Sequence, residues 1–363
     1  MSALAGMHIG LVGPLPPPAG GMANQTRQLA ELLRSAGAQV SLVQTNAAYR
    51  PAWAGRVPVL RAAVRLLPYV AALWRTAGHA QVLHVMANSG WSWHLFAAPA
   101  IWVARLRRVP VVVNFRGGEA AAFLAKSARC VAWSLRRTAR LIVPSGYLQQ
   151  VFGQHGLDAH IVPNVVDLQR FHPAPVGAQR ELRLMVARNL EPIYDNATAL
   201  RAFAQVLQVQ PAARLTVAGT GPELAALQAL AQELGVETRV EFAGRLDRDD
   251  MAQRLRRCAV ALNPSRIDNT PNSVLEALAS GVPVVSTDVG GVPFLVQHER
   301  TALLVPPGDP QAMAQQVLRL LQEPELAARL AANGLRDAQR YTWPMVAPGL
   351  SEVYMAALAQ RQV

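Results

Sequence analysis

Two carboxylates with seven residues between them, Asp268 and Glu276, stand in the run of this chain richest in chemically useful side chains, residues 263–291. The run reads Asn-Pro-Ser-Arg-Ile-Asp-Asn-Thr-Pro-Asn-Ser-Val-Leu-Glu-Ala-Leu-Ala-Ser-Gly-Val-Pro-Val-Val-Ser-Thr-Asp-Val-Gly-Gly. Pro271 suits a first helical turn, where its missing N–H costs nothing, and Thr270 or Asn269 is placed to cap it. The amides of Asn272, Ser273 and Val274 then project from the helix end, which attracts anions and hydroxyl oxygens. Gly281 closes the helix, residues 282–286 form a short apolar strand, and Gly290 with Gly291 lets another backbone approach closely.

Other polar groups follow apolar strands in the same way. Residues 7–12 read as a strand that leads through Gly20, Gly21 and Met22 into a helix over 24–36, a geometry in which loop amides and a helix end converge on phosphate. The glycine spacing is not the dinucleotide fingerprint. Residues 109–114 form a buried strand that delivers Asn114 and Arg116 to the C-terminal end of a sheet, where open α/β sheets place their ligands. A strand over 182–187 presents Arg188, and one bidentate arginine holds a phosphate well. A strand over 214–218 runs into Gly219-Thr220-Gly221, and residues 240–243 run into Gly244-Arg245-Leu246.

The elements between these points alternate strand and helix throughout, which predicts an α/β protein. Further strands are expected at 39–43, 81–86, 140–144 and 259–262, and helices at 91–105, after Ser145, and at 247–257. Residues 53–75 alternate Val57, Leu60, Val64, Leu67 and Val70 with Arg56, Arg61, Arg65 and Arg75, between Trp53 and Trp74. Such a segment either covers a sheet or lies in a membrane interface, and Pro58 and Pro68 interrupt it. Residues 171–180 read as a linker.

The run around Asp268 and Glu276 resembles the donor-site signature of retaining glycosyltransferases of GT-B architecture, in particular glycosyltransferase family 4. In that family an acid, seven residues and a glutamate frame a Pro-Asn-Ser or Pro-Asn-Gly helix start; Glu276 matches the glutamate, and Asp268 stands where glutamate is commoner. The resemblance implies two Rossmann-like domains with a donor cleft between them: an acceptor-side domain over 1–170, a nucleotide-sugar domain over 181–342, and a last helix over 343–363 that crosses back. It implies that Glu276 holds the donor ribose, that Asp268 contacts sugar hydroxyls, and that Gly20-Gly21 faces the diphosphate across the cleft. Arg188 falls where the family supplies an Arg and a Lys to the diphosphate; Tyr194 stands near the place of the Lys. Gly219 and Gly221 match a turn of the nucleotide domain, and the backbone of Arg245 and Leu246 matches the loop that reads the base. Residues 161–167 resemble the family's Pro-Asn-Gly-Val-Asp turn with Val165 for the glycine, and read as structural. Many members carry a histidine where this chain has Asn114 and Arg116. The implied reaction is transfer from a nucleoside-diphosphate sugar to a hydroxyl of a glycan or lipid-linked glycan, with retention; Arg188, the amides of Gly20 and Gly21 and the helix start at Asn272 are where stabilisation should act, and Arg116 stands with Asp268, Glu276 and Arg188 among the expected catalytic residues. No cofactor and no metal are implied, and the sequence has no Asp-x-Asp.

The chain of 363 residues accommodates two cores of roughly 170 residues. Its net charge of +12 is concentrated in one half. Residues 1–175 hold 17 Lys+Arg against 4 Asp+Glu, whereas the remainder holds 18 against 19. A basic half suits nucleic acid, anionic lipid or a phosphorylated substrate. No helix-turn-helix, zinc-finger or RNA-binding aromatic signature accompanies it, so an anionic membrane surface or a lipid-diphosphate acceptor is the expected partner and nucleic acid is not. The start lacks a signal-peptide pattern, and a cytoplasmic protein, peripheral at the inner membrane face, is expected. Cys130 and Cys258 lie in different halves and are expected as reduced, partly buried thiols. His84 is a candidate for the site, and the remaining histidines read as structural or solvated. An inactive sugar-nucleotide-binding protein of the same fold is the competing reading, resting on the missing Lys and His. A two-lobed dehydrogenase lacks its Gly-x-Gly-x-x-Gly, and a periplasmic binding protein lacks its leader.

Overall fold

The computed structural model describes residues 4–17, 20–48, 58–175, 177 and 180–360, the side chains of 58–63 excepted. Two compact units divide the chain: Met1–Pro163 with Val346–Val363, and Asn164–Met345. The expectations for Trp53, Arg56 and Val57, and for the side chains of Leu60 and Arg61, lie outside the described residues.

The first unit opens with β1 (His8–Gly13), α1 (Gly21–Ser35), β2 (Gln39–Gln44), α2 (Pro58–Ala77) and β3 (Val82–Ala87). It continues through α3 (Ala98–Leu106), β4 (Val111–Phe115), α4 (Ala120–Leu135), β5 (Arg140–Val143), α5 (Gly146–Gly153) and β6 (His160–Ile161). The strands form one parallel sheet in the order β2-β1-β3-β4-β5-β6. Every residue of β3 and β4 is buried, which is why both read as continuous apolar runs: a parallel sheet covered on both faces leaves no polar side.

The second unit repeats the plan with β7 (Arg183–Ala187), α6 (Asn196–Val209), β8 (Arg214–Ala218), α7 (Leu224–Glu233), β9 (Val240–Gly244) and α8 (Arg248–Arg257). Then come β10 (Val260–Asn263), α9 (Asn272–Ala279), β11 (Val284–Thr287), α10 (Val292–Leu295), β12 (Leu303–Val305), α11 (Pro310–Gln322) and α12 (Pro324–Ala338). The sheet is again parallel, in the order β12-β11-β10-β7-β8-β9. Helix α13 (Trp343–Ala359) begins among residues of the second unit, and from Val346 onward belongs to the first.

Four local expectations change. Pro68 does not break α2, which runs through it. Pro68 is exposed, and a proline on the solvent side of a helix bends it rather than ending it. The expected helix over 91–105 is present but takes a π turn at Trp93–Ala97 before continuing as α3. Cys130 is exposed, whereas Cys258 is buried and its thiol is pushed up to about 12 by that burial. Phe171, at the start of the expected linker, is fully buried against the second unit's core.

Candidate active site

In the second unit, the chain leaves β7 toward β8 on one side, while β10 lies on the other. The segments that follow β7 and β10 therefore diverge, and a crevice opens at the C-terminal ends of these two strands. Arg188 follows β7 directly, and Asp268 lies in the loop after β10. The two form an ion pair through Arg188 Nη2 and Asp268 Oδ2, with both side chains largely buried. The ring of Tyr194 lies 4.1 Å from the Arg188 guanidinium carbon, so the residue standing near the family's lysine stacks on the arginine instead. Nη1 of Arg188 reaches Ser273 Oγ at 3.5 Å, and Nε of Arg188 is a buried donor with no acceptor. A second orphan stands close by in sequence, the buried hydroxyl of Thr270.

Asp268 also accepts from the amide of Asn269 at 3.0 Å. Burial pushes its carboxyl above the ordinary value, with the charge of Arg188 as the largest opposing influence. The floor beneath is polar and closed. Ser265 Oγ donates to Asn263 Oδ1 at 2.9 Å, Asn263 Nδ2 to Ser286 Oγ at 3.0 Å, and Thr287 Oγ1 to the carbonyl of Ser265 at 2.6 Å.

Helix α9 starts one residue later than expected. Pro271 is its N-cap, in extended conformation, and no side chain caps it. Its carbonyl accepts from Val274 N at 3.1 Å and Leu275 N at 3.2 Å, so Val274 is not among the outward amides; of the three expected there, only Asn272 and Ser273 precede the helical bonds. The start is buttressed by Asn164, whose Nδ2 donates to Asn272 Oδ1 at 2.7 Å and to the carbonyl of Thr270 at 3.1 Å. Glu276 lies on the second turn of α9. Burial lifts its carboxyl to about 7, partly opposed by Arg248, and no protein hydrogen bond reaches it among the described residues.

The glycines act on backbone packing. A Cβ on Gly291 would come within 1.8 Å of the carbonyl oxygen of Asn269, so only glycine lets this turn rest against the loop that carries Asp268. Gly219 has φ +157, its Cβ would lie 1.9 Å from the carbonyl oxygen of Arg188, and its amide donates to Gly244 at 2.7 Å. Gly221 sits in the same way against Leu190. Arg245, exposed, and Leu246, half-buried, follow β9 at the same end of the sheet.

Gly20, Gly21 and Arg116 belong to the first unit. Gly20 is the N-cap of α1, with open space where either glycine's Cβ would be. Arg116 donates through Nε to Asn114 Oδ1 at 3.0 Å, and burial lowers its guanidinium to about 10. Asn114 in turn donates to His84 Nε2 at 3.1 Å, and His84 Nδ1 meets Tyr354 Oη at 2.8 Å. His84 is thus sealed at the centre of a polar chain and fully buried.

Family models fall on both units. One described as glycosyl transferases group 1 matches residues 182–323, and one described as Glycosyltransferase Family 4 matches residues 19–170. The chain belongs to the GT-B glycosyltransferases and resembles family 4.

Among curated glycosyltransferase relatives, a D-inositol 3-phosphate glycosyltransferase of Segniliparus rotundus is 29% identical over 240 residues, 63% of this chain and 54% of that protein. A glycogen synthase of Mycobacterium tuberculosis is 28% identical over 280 residues, 72% of this chain and 67% of that protein. The chain spans about half the length of the first curated relatives it matches. Among solved folds, sucrose-phosphate synthase of Thermosynechococcus elongatus superimposes with a TM-score of 0.76 at 21% identity, over 98% of this chain and 100% of that one. The Anabaena HepE protein in complex with UDP-glucose gives 0.74 at 19% identity, over 95% and 98%.

The signals that sequence reading missed are long-range. Tyr194 beneath Arg188, Asn164 beneath Asn272, and the pair of Arg266 Nε with Asp195 Oδ2 at 2.8 Å join segments that no local pattern connects. Among the described residues, no group of three His, Cys, Asp or Glu could hold a metal ion, and no helix is long and apolar enough to cross a membrane.

Proposed function

We propose that this chain transfers a glycosyl group from a nucleoside-diphosphate sugar to a hydroxyl of a glycan or lipid-linked glycan, with retention of anomeric configuration. The observation that carries the reading is two groups of one unit that are open to a ligand: the buried Arg188 Nε without an acceptor, and the half-buried Glu276 carboxylate, to which no described residue donates. A buried, unsatisfied donor costs about 1–3 kcal/mol, which a phosphate oxygen recovers on binding. The Glu276 carboxylate accepts from the vicinal hydroxyls of a ribose, and those bonds favour its ionised form.

In the reaction, the bond from the anomeric carbon to the phosphate oxygen breaks, and the acceptor oxygen forms its bond on the same face. The acceptor proton passes to the departing phosphate oxygen. Arg188 and the amides of Asn272 and Ser273 lie where negative charge grows on the diphosphate. Asp268 is tied to Arg188, so its contact to sugar hydroxyls uses the carboxylate lone pairs that Arg188 and Asn269 leave. Arg116 is the cationic group on the acceptor side, and Gly20-Gly21 offers loop and helix-end amides to phosphate. Gly219, Gly221, Arg245 and Leu246 shape the nucleotide side through backbone. The same reading places the chain at the inner face of an anionic membrane. Its supports are the positive excess of residues 1–175 and the exposed Leu67, Trp74 and Leu106, with Arg107 stacked 4.8 Å over Trp74.

Replacement of Glu276 by Ala is the test. Transfer, followed by mass spectrometry of products across a panel of nucleoside-diphosphate sugars, should fall about a hundredfold or more while the circular dichroism spectrum is kept, since two charge-assisted hydrogen bonds are lost. Near-normal turnover would take Glu276 out of the donor site.

A further inference from the structure

Helix α4 runs back from the sheet end that carries Arg116, so its last turns lie at the opposite end of the first unit's sheet. There Arg129 and Trp133 stand one turn apart on α4, and Arg136, the C-cap of the helix, and Arg137 follow in the turn that ends it. Trp102 of α3 packs on Trp133 with ring centroids 4.2 Å apart, and its indole N–H donates to Ser134 Oγ at 3.4 Å. The guanidinium of Arg137 lies over both rings, 4.5 Å from Trp133 and 4.9 Å from Trp102, and is tethered to the carbonyl of Trp133. Beside this stack is a groove of about 510 Å³, lined by Arg129, Trp133, Arg136, Arg137 and His155 and by two alanines of α4. No carboxylate lines it, and none of the three arginines has an ion pair among the described residues.

Repulsion among three uncompensated arginines opposes their gathering, and the dipole of α4 favours positive charge only in its last turn. A guanidinium held over two indole rings has lost part of its freedom in advance, and N–H groups turned away from the rings match the oxygens of a phosphate. The groove volume falls in the range of small-ligand sites. We propose that this groove is a phosphate-binding site, separate from the donor site, that takes a diphosphate or a phosphomonoester headgroup. The proposal does not rest on the donor-site reading, because none of its residues enters that site.

The test follows the indole N–H resonances of the ¹⁵N-labelled full chain during titration with inorganic pyrophosphate, the Trp133 signal being assigned by Trp133→Phe. Saturable shifts at Trp102 and Trp133 are expected, retained in Arg188→Ala and weakened about tenfold in Arg129→Gln/Arg136→Gln. Absence of these shifts in the unaltered chain overturns the proposal, as does an unaltered affinity in the double variant. A second arm measures sedimentation with phosphatidylcholine vesicles containing phosphatidic acid. If vesicle binding falls in the double variant, the phosphate is that of a lipid headgroup. If only the pyrophosphate shifts fall, the ligand is a free diphosphate.

Discussion

Each unit gathers polar side chains at or next to the C-terminal ends of parallel strands, but the two gatherings are satisfied in opposite ways. In the first unit, Arg116, Asn114, His84 and Tyr354 form a closed chain in which each link has its partner. Arg116 donates to Asn114 Oδ1, which turns the amide's NH2 toward His84 Nε2 and leaves the imidazole proton on Nδ1, donated to Tyr354. In the second unit, the buried Arg188 Nε and Thr270 Oγ1 have no partner, and the half-buried Glu276 carboxylate receives no hydrogen bond from any described residue. A buried network complete in itself rigidifies a fold; one that is incomplete holds free energy for a ligand.

The sharpest way to break this comparison is acid. His84 is neutral in the fold, its value lowered to about 3 by burial and by the charge of Arg116. The unfolded chain binds a proton near pH 6.5 and the folded chain does not until about pH 3. Stability is therefore complete above 6.5 and falls as pH drops toward 3, by about 5 kcal/mol in total. His84→Gln keeps an acceptor for Asn114 and a donor for Tyr354, and urea unfolding between pH 7 and 4 should show its acid limb flattened. An acid limb that matches the unaltered chain would mean that the network opens on protonation.

Next in size is Arg188. Arg188→Ala strands the buried Asp268 carboxylate and should cost about 3–5 kcal/mol of stability. Arg188→Lys keeps the charge and removes the Nε donor, so the fold should survive while nucleoside-diphosphate affinity drops about tenfold. Equal affinity by calorimetry would remove Nε from the ligand.

Glu276 tests the open site by a change in the other direction. Its folded value of about 7 exceeds the ordinary 4.5, so the ionised form is disfavoured in the fold and stability is lost as pH rises from 4.5 through 7. Glu276→Gln does not titrate. Relative to the unaltered chain it should gain up to about 3 kcal/mol on going from pH 5 to pH 8, while its donor binding falls. A pH-independent difference between the two proteins would place the carboxylate in water.

The strands and the α9 region were legible because their signals are local. Apolar runs such as Val82–Ala87 and Val111–Phe115 need only neighbours in sequence to declare a buried parallel strand. The helix start at Pro271, read one residue too early, the close approach at Gly291, and the strand-end positions of Arg188 and Arg116 were legible for the same reason. What joins them was not. Asn164 and Asn272 are 108 residues apart, Asp195 and Arg266 are 71 apart, and His84 and Tyr354 are 270 apart. Sequence presents Arg188 and Asp268 as two separate groups; the fold makes them one ion pair stacked on Tyr194. Pro68 misleads because its effect depends on which side of the helix faces water, a property of the packed unit.

The smallest effect expected bears on whether the closed network is structural alone. Tyr354→Phe removes the acceptor of the His84 Nδ1 proton and nothing of the packing, since the ring stays fully buried and edge-on to the imidazole. One buried donor left unmet costs about 2 kcal/mol. The imidazole has a way to escape that cost: the other tautomer, with the proton on Nε2, which then faces the NH2 of Asn114. The amide must turn to accept it, and doing so takes Oδ1 away from Arg116. A shift of the His84 ring ¹⁵N resonances to the Nε2–H pattern, together with a changed KM for acceptor and an unchanged donor affinity, would show that Tyr354 positions Arg116 through two intervening side chains. Loss of stability with the Nδ1–H pattern and both affinities retained would confine the chain of hydrogen bonds to holding α13 in place.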